Sequence, residues 1–112
     1  MAFSPTYWKV LKISDGDKTV YKLLAHWLGG FMDDDSWRLN SGITKVVFNK
    51  EFNLYEVYGE SGSVYHCLTV GEHVSGYMIG IIEGFRYRGK DTDITIEPVN
   101  MEDYFNENWN CE

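Results

Sequence analysis

The pattern of apolar and polar positions predicts a chain made mostly of short strands. Residues 7–13, YWKVLKI, form an apolar, strand-like run. It ends at 14-SDGDK-18, where Asp15-Gly16 is a strong tight-turn signal. In the next run, 19-TVYKLLAHW-27, Tyr21, Leu23, Ala25 and Trp27 fall on one face and Val20, Lys22, Leu24 and His26 on the other. The first face is uniformly apolar, as a half-buried strand requires, so the two runs predict a hairpin. Residues 28–42, LGGFMDDDSWRLNSG, break the alternation and predict a loop longer than a routine strand connection.

A meander follows. Strands are predicted at 43–49, 54–59 and 63–70, joined by the turn-compatible segments 50-KEFN-53 and 60-ESG-62. Residues 76–89, GYMIGIIEGFRYRG, fit either period. A helix here would carry Gly76, Gly80 and Gly84 at about 1 kcal/mol each, which favours a bent or bulged strand. That strand would place the three glycines on one half-bare face, open to a neighbouring backbone, ring or ligand. The segment 93–99 alternates, with Ile94 and Ile96 inward and Pro98 at its end or at a sheet edge.

The tail from 100 to 110 predicts a short helix. Asn100 caps it, Glu102 and Asp103 complement its positive end, and Met101, Phe105 and Trp109 form one apolar stripe with Tyr104 beside them. The fold expected is all-β: a small antiparallel barrel or strongly curved sheet of six to seven strands, with a short C-terminal helix, in one domain spanning 1–112.

Charge changes the picture at one end. Of the 17 acidic residues, seven (Asp91, Asp93, Glu97, Glu102, Asp103, Glu107 and Glu112) lie after residue 90, with no Lys or Arg among them. The first 90 residues hold ten acids against ten bases, so the tail carries the whole net charge of −7. A neutral body with an acidic, aromatic tail suits a protein partner with a basic surface. The same charge argues against binding a phosphate backbone. The N-terminus lacks the charged and apolar regions of a signal peptide, and 77-YMIGII-82 is far too short to cross a bilayer. The expected setting is therefore cytoplasmic, with reduced thiols and no membrane contact. Strand edges left exposed would leave room for a homodimer.

Motifs with specific chemistry are few. Asp33, Asp34 and Asp35 could hold a divalent cation, but the alternating calcium-loop pattern is missing, so no metal is expected. Trp37 and Arg38, in the same loop, are the residue types that dominate interface hot spots. With Glu102, Asp103 and Glu107 of the tail, they and the three aspartates form the expected partner-binding set. An alternative reading holds a nucleotide-like ligand against Gly76, Gly80 and Gly84, with Arg86 and Arg88 on its phosphates. A third is a small enzyme using Glu56, His66 or His73 in a cleft. Cys67 has no local base and reads as a small buried hydrophobe, while Cys111 fits no zinc or redox spacing. No phosphate loop, dinucleotide fingerprint or nucleophile elbow occurs, so neither a cofactor nor a catalytic set is expected.

The stretch LLAHWLGGFMDDDSWRLNSGI, with SGSVYHC and SGYMIGI after it, resembles small uncharacterised proteins of large tailed bacteriophages. Trp27, Gly29, Gly30, Asp35, Ser36, Trp37, Arg38, Asn40, Ser41, Gly42, Gly62, Tyr65, Gly76 and Tyr77 carry the resemblance. It implies a non-enzymatic accessory protein that binds and disables a host factor in the host cytoplasm.

Overall fold

The computed structural model describes residues 2–29 and 34–109. The strands are β1 (Ala2–Phe3), β2 (Tyr7–Asp15), β3 (Lys18–Trp27), β4 (Ser36–Leu39), β5 (Ile43–Asn49), β6 (Leu54–Gly59), β7 (Val64–Leu68) and β8 (Ile94–Val99). Two helices, α1 (Gly76–Arg88) and α2 (Met101–Asn108), flank β8.

The predicted hairpin is present. Asp15 pairs with Lys18 across a two-residue turn in which Gly16 takes φ +61°. The meander is present as well, β5, β6 and β7 pairing antiparallel in sequence, with β1 added in parallel to β7. These strands do not close into a barrel. They form two open four-stranded sheets, ordered β1-β7-β6-β5 and β4-β3-β2-β8. The reason lies at 40–42, between β4 and β5. Asn40 is tied to Leu23 of β3 by its amide and by its side-chain oxygen, at 2.9 and 2.7 Å. Ser41 and Gly42 accept the amides of Ser61 and Glu60 in the β6–β7 turn. The chain thus leaves one sheet and enters the other, so the sheets stack instead of continuing round.

Segment 76–88 is helix, not the strand expected from its glycines. Ser75 caps it by accepting the amide of Met78, and Met78 and Ile82 are buried against the second sheet with Leu11, Leu24 and Ile96. Burying such side chains contributes about 1.5–3 kcal/mol each, which offsets the glycine cost. The second sheet therefore has both faces covered. Trp8, Val10, Leu23 and Ala25 face the first sheet's Val46, Val57, Tyr65 and Cys67, and Leu11 and Leu24 face α1. The architecture is three layers: sheet, sheet and helix.

Helix α2 closes one end of the inter-sheet core, as its stripe predicts. Met101 and Tyr104 are buried there, with Phe105 and Trp109 packed against them. Asn100 caps the helix by accepting the amide of Asp103, while Glu72 accepts the amide of Met101 at 2.7 Å and pairs with Lys9 at 3.0 Å. Among the described residues no helix is long and apolar enough to cross a membrane.

Candidate functional site

The segment 28–42 is not wholly loop, because β4 pairs with β3 within it. This separates Trp37 from Arg38. Neighbours on a strand point to opposite faces. Trp37 packs edge-on to Phe85 of α1, with centroids 5.7 Å apart, whereas the Arg38 guanidinium lies 4.7 Å over the Phe3 ring, on the first-sheet side. Both stay exposed, on opposite faces of the strand. Asp34 is exposed, and Asp33 lies outside the described residues.

Asp35 faces a polar cluster whose members lie far apart in the sequence. His26, at the end of β3, is 1% exposed. Its Nε2 lies 2.9 Å from Asp35 Oδ2, and its Nδ1 lies 2.9 Å from Ser75 Oγ. The Gly29 amide donates to Asp35 Oδ1 at 2.9 Å. That bond first, and the one to His26 second, hold the Asp35 carboxyl below the usual carboxylate range. With a neutral ring that donates from Nε2 to the ionised Asp35, Nδ1 is the acceptor for the Ser75 hydroxyl. The Ser75 oxygen in turn accepts the Met78 amide, so each polar atom of the chain has a consistent role. The Tyr77 ring stacks on the imidazole, with centroids 4.4 Å apart and planes 15° from parallel, and its hydroxyl donates to the Asp35 carbonyl at 3.2 Å.

A carboxyl whose folded pKa is depressed stabilises the fold above its unfolded value, and that contribution is lost as pH falls through the folded value. Asp35→Asn is therefore expected to lower the urea midpoint at neutral pH and to leave it unchanged on the acid limb, where wild-type Asp35 is already protonated. Denaturation at the two pH values checks this. An equal loss at both would trace the effect to packing.

Among the described residues the tail acids do not form one patch, and Glu112 lies outside those residues. Asp91 and Asp93 lie in the turn before β8, at the far end of that strand from α2. Glu102 lies towards Tyr55, where burial first, and then the Glu102 and Glu72 charges, raise the phenol pKa. Three others converge: Glu97, Asp103 and Glu107 line an open groove of about 300 Å³ between β8 and α2. Tyr21 and Tyr104 form its wall, their rings 4.6 Å apart. Lys12, the cross-strand partner of Glu97, is its only basic residue among those described. Beyond the Tyr21–Tyr104 pair a second hollow, of about 520 Å³, carries one Lys22 and one Glu60.

The residues of the alternative nucleotide reading all lie on α1. Gly76, Gly80 and Gly84 share a helix ridge with open space beside each, not a bare sheet face. Arg86 is engaged by the Ile96 carbonyl, at 3.0 and 2.7 Å, and by Glu83. Arg88 lies over Phe85. The hollow beside Arg86 measures about 90 Å³, well below the few hundred Å³ of a small-molecule pocket.

Glu56 and His66 are cross-strand partners in the first sheet, whereas His26 lies against Ser75 at the start of α1 and does not join them. Glu56 accepts the Tyr58 hydroxyl at 3.2 Å. His73 packs its ring against Tyr7, 5.2 Å away. Burial, and then the Glu72 charge, push the Cys67 thiol far up, as suits a small core residue. Among the described residues no group of three or more His, Cys, Asp or Glu is placed to hold a metal.

Fold and sites together define a two-sheet, helix-backed β protein with an acidic groove on one side of its second sheet and a Ser-His-Asp cluster on the other. No family model, curated protein or solved structure matches the chain.

Proposed function

We propose that this chain is a protein-binding module that docks a basic segment of its partner in the groove between β8 and α2. One observation carries the reading: of the acids in a basic-residue-free tail, Glu97, Asp103 and Glu107 are brought to one concave, aromatic-walled place. Concave surfaces of one sign focus potential and speed association with an opposite charge. Tyr21 and Tyr104 offer ring surface to the stem of a Lys or Arg side chain while the carboxylates meet its head. The partner class is a protein with an exposed Lys- or Arg-rich segment, and the consequence of docking is to cover that segment. Trp37, Arg38 and Asp35 are outside this surface.

The test uses an arginine-rich peptide as probe, titrated calorimetrically at low and high salt. Wild type is expected to bind at low salt and to weaken at least tenfold at high salt, since exposed charge pairs are screened. Neutralising the groove by Glu97→Gln, Asp103→Asn and Glu107→Gln is expected to abolish binding. Asp91→Asn with Asp93→Asn, in the same tail but away from the groove, is expected to preserve most of it. Equal losses in the two variants would show that net tail charge, not the groove, attracts the probe.

A further inference from the structure

We propose that Ser75 is an acylatable nucleophile, and that Ser75, His26 and Asp35 form a hydrolytic site for small neutral esters on the α1 side of the second sheet. Serine is a weak nucleophile unless an adjacent base takes its proton and a third group orients that base. Here the base is 2.9 Å from Oγ, the orienting carboxylate is 2.9 Å from the other ring nitrogen, and the Gly29 amide fixes that carboxylate. The three residues come from β3, the segment before β4 and the cap of α1, so the fold, not local sequence, brings them together.

Two features serve the reaction beyond the triad itself. Ser75 caps a 13-residue helix, and the amides of Gly76 and Tyr77, its first two residues, have no acceptor within the helix. In the proposed reaction they are the donors available to an oxyanion formed at Ser75. Gly76, next to Ser75, is exposed, with nothing within 4 Å of the point a Cβ would occupy, so the chain beside the nucleophile carries no covering side chain. Ser75 itself is only 9% exposed, and Tyr77 covers the imidazole, which restricts the site to small acyl groups.

In the step proposed, Oγ forms a bond to the acyl carbon while its proton passes to His26 Nδ1. The carbonyl electron pair moves to oxygen and returns as the ester C–O bond breaks, and Nδ1 gives its proton to the leaving alkoxide. Water then attacks the acyl-serine with His26 again taking the proton, which frees the acid and restores Ser75. The sum is one ester and one water to one acid and one alcohol, with no redox change. The site lies across the second sheet from the acidic groove and does not depend on it.

A small alkyl fluorophosphonate tests the proposal, with intact-mass and peptide-mapping readouts on the full chain. The expected result is one adduct per chain, on Ser75. His26→Gln is expected to slow labelling by about 100-fold or more, the usual size of general-base assistance. Ser75→Ala removes the helix cap with the nucleophile, so Ser75→Asn, which keeps a capping side chain, is the companion variant and is expected to give no adduct with its circular dichroism unchanged. Asp35→Asn tests a positioning role. Labelling is expected to slow, and Asp35→Glu, which keeps the carboxylate, to recover part of the wild-type rate. A folded wild-type chain that takes up no adduct at millimolar probe overturns the proposal. So does an adduct on another residue, or a folded His26→Gln chain that labels at the wild-type rate.

Discussion

Trp8→Ala is expected to destabilise the protein by about 3–5 kcal/mol, enough to leave much of a typical domain's stability spent. Trp8 is fully buried near the start of β2, on the face between the sheets. It stands edge-on to Tyr55 of the first sheet, with centroids 6.2 Å apart, and its indole nitrogen donates to the Leu68 carbonyl at 2.8 Å. One side chain thus supplies apolar fill and a polar tie between layers. Removing it opens a cavity and strands a carbonyl acceptor, two separate costs. Gly71 cannot grow to fill the gap: a Cβ there would lie 2.8 Å from the Thr6 carbonyl. Trp8→Phe refills most of the space without the donor, and its smaller loss measures the hydrogen bond. Urea midpoints of the two variants against wild type check both terms. A loss under about 1 kcal/mol for Trp8→Ala would mean that the sheets repack freely.

The opposite sign is expected on α1. Gly80→Ala and Gly84→Ala should each stabilise by about 1 kcal/mol, because alanine lowers the entropy lost on forming a helix interior. Neither new methyl has a heavy atom within 4 Å, so no packing strain offsets the gain. Together they should raise the thermal midpoint by roughly 8 °C, at about 4 °C per kcal/mol for a chain of this size. Differential scanning calorimetry reads this directly. An unchanged or lowered midpoint would show that the glycines serve the helix's own geometry. A raised midpoint would show that nothing inside the chain requires them.

The first hairpin was legible because its alternation is strict and Asp15-Gly16 permits only a tight turn. Helix α2 was legible from its cap and stripe, two independent signals for one element. Helix α1 was hidden by its own glycines. Spaced four apart, they also fall on alternate positions, which imitates a strand face. The spacing of Met78, Ile82 and Phe85, at i, i+4 and i+7, was the helical signal, and Ser75 just before it was the capping signal. That misreading also concealed His26. A histidine beside Leu24 on the second face of β3 reads as solvent-facing until a helix is placed over it. The groove acids were legible as charge but not as a place, since Glu97 and Glu107 meet only because α2 turns back beside β8. Strand β4, which carries Trp37 and Arg38, was hidden because four residues inside a polar, glycine-rich segment leave too short a pattern to detect.

Strand β2 finds its two neighbours at very different times. It meets β3 across a two-residue turn, but β8 is made only after β4 to β7 and α1, with Val10 paired to Val99. On a ribosome adding about 5–20 residues per second, the roughly 66 residues between β3 and β8 take about 3–13 s to emerge. For that interval the outer edge of the nascent hairpin offers unpaired amides and carbonyls to any passing strand. Lys9 and Lys12 stand on this same strand, and charged side chains of this kind discourage edge-to-edge association. The residues that later hold Glu72 and face Glu97 are thus placed to guard the newborn chain before either partner exists.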